Sequence, residues 1–320
     1  MYLPYKLYEI YLQPQTNQEA QVPTPTTTRT LDLSAGPVVV RDSGGDGEPI
    51  LLVHGLLVDG RLWDAVAPRL TAAGLRVVMP DLPLGAHKTA MRPDAPLAPM
   101  DVARLLGEIA EQLELQGVTL VGNDTGGAIC QMAAAARPDW LARLVLTPCD
   151  AYENFLPPLF APLATLARRA PALLTAVMQP MRLRVMRNSP LFAGWLTKRG
   201  VDSQLSADLI APFMRDAGVR RDTYKVLAGI DKADTIRAAK ELGSFDRPAL
   251  VIWAPEDRFF KQRFAERLAG DIPGARIERI DDSYAFTPID QPERTAELII
   301  DLVRATPAER DTGAAATAGA

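Results

Sequence analysis

Histidine is scarce in this chain of 320 residues: there are only two, His54 and His87, so imidazole chemistry is confined to those two positions. Cysteine is equally scarce. Cys130 and Cys149 are too few for a disulfide framework and fit a reducing compartment. No apolar run approaches the ~20 residues a membrane-spanning helix needs. The opening stretch, MYLPYKLYEIYLQPQTNQEAQ, lacks the basic start and continuous apolar segment of a secretory signal. Neither sign of charge dominates, with 35 Lys and Arg against 39 Asp and Glu, so the chain as a whole has no field to attract nucleic acid or anionic lipid. These absences point to a soluble, cytoplasmic protein that acts on a small molecule. They predict no cofactor, no nucleic-acid partner and no membrane partner, and leave the oligomeric state open.

Hydrophobic residues make up 48% of the chain, enough for a large buried core. Short β-branched runs recur at 37–42, 49–55, 75–81, 118–124, 142–148, 248–257 and 275–281. Several, such as ILLV and TLVG, are apolar on both faces, as strands buried in a parallel sheet are. Helical patterns separate them, with apolar residues three and four apart over 100–115 and 291–306. This alternation predicts an α/β fold with a mostly parallel, doubly wound sheet. No strand pattern appears over 149–244, where proline-punctuated helices predict a helical cap inserted between a core of 29–148 and its completion at 245–306. Residues 1–28, rich in Gln, Pro and Thr, read as a flexible leader, and 307–320 as a disordered tail.

The strongest local signal is VTLVGNDTGGAICQMAAAA, where an apolar strand runs through Gly122-Asn123-Asp124-Thr125-Gly126 straight into a helix. This is a glycine-flanked nucleophile elbow: a sharp turn aims Asp124 into the site, and bulky residues two positions away would collide across it. The new helix aims its free N–H groups at the same point.

Over residues 30–305 the chain resembles the α/β-hydrolase superfamily. His54-Gly55 is similar to its HG motif, Asp81-Leu82-Pro83 to its DxPG-type turn, and Asp257 in WAPEDRFF to its acid after the penultimate strand. An aspartate at the elbow resembles the epoxide hydrolase and haloalkane dehalogenase branch; esterases and lipases use serine there. The resemblance implies an oxyanion hole made by the N–H groups of Leu56 and Thr125. It implies a structural role for His54, bonded to nearby backbone, and a packing role for Trp63 beneath the helix after the HG loop.

The same resemblance exposes a gap. The family places its catalytic histidine in a pattern similar to GHF-x-P-x-x-x-PE, whereas this chain reads Tyr284-Ala285-Phe286-Thr287-Pro288 and onward to Pro292-Glu293, with Ala285 in the histidine's place. An aspartate that attacks carbon becomes an ester, and the histidine is the base that activates water against it. An engineered trap, a different base and a loss of hydrolytic chemistry are all compatible with the sequence. His87 and Asp150 are the candidate bases, since both follow strands at the edge expected to carry Asp124 and Asp257, where clustered carboxylates hold a raised pKa. No spacing suggests a metal site.

Haloalkane dehalogenases place a halide-binding Trp beside the nucleophile, where this chain has Thr125. Epoxide hydrolases protonate the opening ring with cap tyrosines, and Tyr152 and Tyr224 are the candidates here. Ester cleavage by a carboxylate would give a reactive anhydride. The expectation is therefore attack by Asp124 at an electrophilic carbon of an apolar substrate, an epoxide ahead of a halide. The alternative is a non-hydrolytic relative that binds a small hydrophobic ligand. Arg182, Arg184 and Arg187 read as a solvated helix face.

Overall fold

The computed structural model describes residues 26–189 and 193–307. Its strands are Thr27–Leu33 (β1), Gly36–Asp42 (β2), Pro49–Val53 (β3), Arg76–Pro80 (β4), Val118–Asp124 (β5), Leu141–Cys149 (β6), Ala249–Trp253 (β7) and Arg276–Arg279 (β8). They form one sheet in the order β1-β2-β4-β3-β5-β6-β7-β8. The first two strands and the β2–β4 pair are antiparallel, and every later pairing is parallel. β3 and β7 are buried along their whole length, which is why they read as continuous apolar runs.

The seven runs expected as strands are β2 to β8. β1 is the addition. Its sequence, TTRTLDL, buries only Leu31 and Leu33, so no alternation marks it. Pairing with β2, from Thr27 opposite Asp42 to Leu33 opposite Gly36, makes it a strand. The leader therefore stops short of residue 28. What remains of the expected leader and tail, residues 1–25 and 308–320, lies outside the described residues.

The α-helices are Ala67–Ala72 (α1), Pro99–Gln112 (α2), Thr125–Ala135 (α3), Ala161–Arg169 (α4), Pro171–Met178 (α5), Arg184–Arg187 (α6), Ser203–Arg215 (α7), Ala217–Gly229 (α8), Lys232–Leu242 (α9), Gln262–Asp271 (α10), Thr287–Asp290 (α11) and Pro292–Ala305 (α12). α2 and α12 are the two helices whose periodicity is clearest in the sequence. None of the described helices is long and apolar enough to cross a membrane.

No strand occurs between β6 and β7 among the described residues. α4 packs on α5 and α8, and α7 on α8. The expected insertion of 149–244 is too wide at both ends. β6 runs through Cys149, and α9 packs on α3. The buried face of α9, Thr235, Ala238, Ala239 and Leu242, is small enough to sit close against the alanine-rich α3, so α9 joins the layer flanking the sheet.

Candidate active site

Asp124 ends β5 and precedes α3 with φ 55° and ψ −133°, a left-handed backbone that a non-glycine residue adopts at a cost of roughly 1–3 kcal/mol. Close approach of neighbouring backbone holds it there. A Cβ on Gly126 would lie 2.3 Å from the His54 carbonyl oxygen, and one on Gly55 would lie 2.1 Å from Asp124 Oδ2. Both positions require glycine for space. The backbone N–H groups of Thr125 and Leu56, the two expected oxyanion-hole donors, favour the charged form of the Asp124 carboxyl. The site lies at the carboxyl ends of β3 and β5, where the chain leaves in opposite directions along the sheet; open α/β sheets form their crevices at such points.

Asp124 faces a cavity of about 400 Å³. Leu56, Thr125 and Asp124 form its floor. α4, α5, α7 and α8 roof it through residues such as Leu166, Met178, Phe213 and Leu227, and Phe259 and Phe260 close one side. Among the described lining residues, Asp124 is the only ionisable one. Burial raises its pKa to about 7; the Thr125 and Leu56 N–H groups work against that shift, and the charge of Asp257 adds to it.

Asp257, just beyond β7, is buried. Its Oδ1 accepts the N–H groups of Phe259 at 2.7 Å and Phe260 at 3.0 Å, while Oδ2 has no partner. Burial raises this carboxyl to about 7 as well. It influences Asp124 electrostatically but does not line the cavity. Ala285 is fully buried and is likewise absent from the lining, and its carbonyl accepts the Asn123 side-chain amide at 2.8 Å.

Neither candidate base faces the cavity. His87 Nδ1 accepts the Gly85 N–H at 3.3 Å and Nε2 lies 3.4 Å from Asp222 on α8, so the ring ties the loop after β4 to the helical insertion. Asp150 is buried beside the elbow, with Oδ2 accepting the Thr125 hydroxyl at 3.0 Å and Oδ1 unpartnered, and burial holds its pKa well above the usual carboxylate range. The two tyrosines are also misplaced for the proton donation expected of them. Tyr152 is buried with its hydroxyl donating to Asp271 on α10 at 2.9 Å. Tyr224 bonds to Thr175 on α5 and packs edge-on to Phe213, outside the Asp124 cavity. Long-range partners, rather than chain position, decide where these groups point.

His54 is structural as expected. Its Nε2 accepts the Leu82 N–H at 2.9 Å, so the proton sits on Nδ1, 2.9 Å from the Gly55 carbonyl. Trp63 is fully buried at the end of the short 3-10 turn after the HG loop. Arg182 and Arg184 are exposed, whereas Arg187 is buried and donates to Ser206 and to backbone carbonyls, because α7 packs against α6. No cluster of three or more candidate metal ligands occurs among the described residues.

Three contributors were not marked in the sequence. Asn123 joins the elbow to Ala285, Asp222 anchors His87, and Thr223 lines the cavity while its hydroxyl donates to Val219 O at 2.7 Å. Only Asn123 lies in a recognisable motif; the others are unremarkable helical residues in the chain.

A family model described as alpha/beta hydrolase fold matches residues 48–292. Haloalkane dehalogenase 2 of Mycobacterium bovis is 28% identical over 289 residues, covering 87% of this chain and 95% of that protein. Among solved structures, carboxylesterase CesB from Bacillus subtilis aligns with a TM-score of 0.70 at 18% identity, over 88% of this chain and 93% of its own. An epoxide hydrolase, CorEH, aligns with a TM-score of 0.69 at 16% identity, over 88% of this chain and 99% of its own. The structural likenesses show a shared fold.

Proposed function

The chain belongs to the alpha/beta hydrolase fold family, and on that premise we propose that it is a hydrolase in which Asp124 attacks an electrophilic saturated carbon of a small apolar substrate. The observation that carries this reading is the isolation of Asp124: a lone carboxyl on the wall of an apolar cavity, with two N–H donors beside it. One carboxylate oxygen forms the bond to carbon while the leaving group takes the bonding pair. The other becomes the ester carbonyl, and the Thr125 and Leu56 N–H groups beside the carboxyl stabilise the charge that develops when water later attacks. Desolvation favours the attack, since a carboxylate out of water is a stronger nucleophile than a hydrated one.

Among the described residues, the cavity wall carries neither a phenol to protonate an opening epoxide nor an indole N–H to hold a halide. The hydroxyls of Thr125 and Thr223 are both bonded elsewhere. An epoxide remains the preferred electrophile because ring strain drives its opening without help from the protein, and the released alkoxide takes its proton from solvent. Among the described residues no side-chain base besides Asp124 lines the cavity, so breakdown of the ester is the slow step.

A second reading, a non-hydrolytic protein that binds a small hydrophobic ligand, is favoured by the burial of Ala285 away from the cavity. The two separate by intact-protein mass spectrometry after exposure to styrene oxide and 1-bromohexane. The catalytic reading expects one added substrate mass on Asp124, absent from Asp124→Asn. Equal turnover by wild type and Asp124→Asn removes Asp124 from the chemistry, and saturable binding without adduct or turnover supports the binding reading.

A further inference from the structure

The roof of the cavity carries an unusual surface. Leu173 and Val177, one turn apart on α5, are 52% and 48% exposed, and Leu183 and Val185 just after it are 59% and 73% exposed. Leu159, at the mouth of the same cavity, is 42% exposed. α5 is apolar apart from Thr175, which bonds to Tyr224: Leu174 and Met178 line the cavity, Leu173 faces solvent, and Val177 is exposed at the cavity's edge. A soluble helix normally keeps a polar outer face, and contiguous exposed apolar side chains mark a surface that meets something else.

The charge around this patch is one-sided. Residues 154–201 contain seven Lys and Arg and no Asp or Glu, within a chain of net charge −4; Lys198 and Arg199 pair with Glu256 and Asp282 and Arg187 is buried, which leaves four exposed arginines near the patch. Arg168, Arg169, Arg182 and Arg184 are exposed on α4, on α6 and in the turn before α6. Arg168 and Arg182 direct nitrogens to backbone carbonyls. Arg169 makes no ion pair with the described residues, and Arg184 acts electrostatically on Asp202 at the start of α7 without forming a close ion pair. The whole-chain charge, which suggested no affinity for anionic lipid, conceals this local excess.

We propose that the α4–α6 face docks peripherally on an anionic phospholipid bilayer, placing the mouth of the Asp124 cavity against the lipid so that an apolar ligand passes between membrane and cavity without crossing water. Leu173, Val177, Leu183 and Val185 enter the acyl boundary, and the arginines pair with lipid phosphates. This is the arrangement of interfacial segments, whose binding combines buried apolar area with electrostatic attraction. Two further features support it. The cavity opens among the same apolar residues, Leu159, Val177 and Pro180, and its interior is apolar apart from Asp124 and the two threonines. A bilayer fits better than a second copy of this chain, since the patch is basic and would repel itself across a two-fold contact.

The test is co-sedimentation of the full chain with sucrose-loaded vesicles of pure phosphatidylcholine and of a 7:3 phosphatidylcholine–phosphatidylglycerol mixture. Binding is expected to the mixed vesicles, far weaker to the neutral ones, and reduced by 0.5 M NaCl. Leu183→Asp/Val185→Asp and, separately, Arg169→Glu/Arg184→Glu should each lower the partition coefficient at least ~10-fold. All four side chains are exposed, and an unchanged circular-dichroism melting curve confirms that the variants fold. Asp124→Asn should bind vesicles like the wild type, so this outcome is independent of the proposed chemistry. No binding to the mixed vesicles, or binding that neither variant weakens, overturns the proposal. So does a patch-dependent dimer in sedimentation velocity without vesicle binding.

Discussion

The side-chain amide of Asn123 donates to the carbonyl of Ala285 at 2.8 Å and to the Thr147 hydroxyl at 2.8 Å. The residue before the candidate nucleophile therefore clamps the residue that stands in the histidine's place. The backbone at position 285 is tied to the elbow, while its side chain is buried and does not line the cavity. The acid that would orient an imidazole, Asp257, keeps one oxygen unpartnered.

From this follows the behaviour of Ala285→His. The site is closed, so an imidazole overpacks it and lowers stability by about 1–3 kcal/mol, read from urea denaturation. It does not reach the ester on Asp124. The adduct lifetime should change less than ~10-fold, against the ~10²–10⁴-fold of a well-placed base. A full rescue of turnover would show that the position opens onto the cavity.

Stability should depend on pH through Asp257. Its folded-state pKa is raised to about 7 from an ordinary 3.8, so the folded protein holds a proton that the unfolded chain releases. That contribution is fully present below pH ~4 and is lost as pH rises through about 7; Asp124 acts in the same direction. Wild type should lose stability between about pH 4 and 7. Asp257→Asn, which has no proton to release, should lose less across that range, by on the order of 1.4 kcal/mol per pH unit. Parallel pH profiles for the two proteins would exclude this account.

Gly55 is a spatial requirement of the elbow. A methyl group there overlaps the Asp124 carboxyl, with its Cβ 2.1 Å from Oδ2 and 2.6 Å from Cγ. Gly55→Ala should displace the carboxyl from the Leu56 and Thr125 N–H groups and slow adduct formation at least ~10-fold, while the far-ultraviolet circular dichroism stays native. Adduct formation at the wild-type rate would mean that the carboxyl tolerates the displacement.

His87 separates a structural from a catalytic role. His87→Ala removes the link to Asp222, which keeps its bonds to the Met91 N–H and to Arg221. The expected result is a loss of about 1–3 kcal/mol in stability with the Asp124 adduct still forming. A loss of chemistry greater than ~10²-fold in a folded variant would restore His87 as a base.

Local sequence determined the sheet and the elbow. The strands β3, β5 and β7 are apolar on both faces because parallel strands are covered on both sides, and the glycines around Asp124 are demanded by backbone contacts within the turn and its neighbours. Composition alone limited imidazole to two positions. Tertiary structure decided the rest. β1 exists only through its partner strand. The direction of each polar group at the sheet edge follows from a distant bond: His87 meets Asp222, 135 residues on, and Tyr152 meets Asp271, 119 residues on. Periodicity and motif spacing report contacts within a few residues of chain. Which carboxyl remains alone in an apolar cavity depends on side chains brought together from remote helices, and only the folded chain makes that selection.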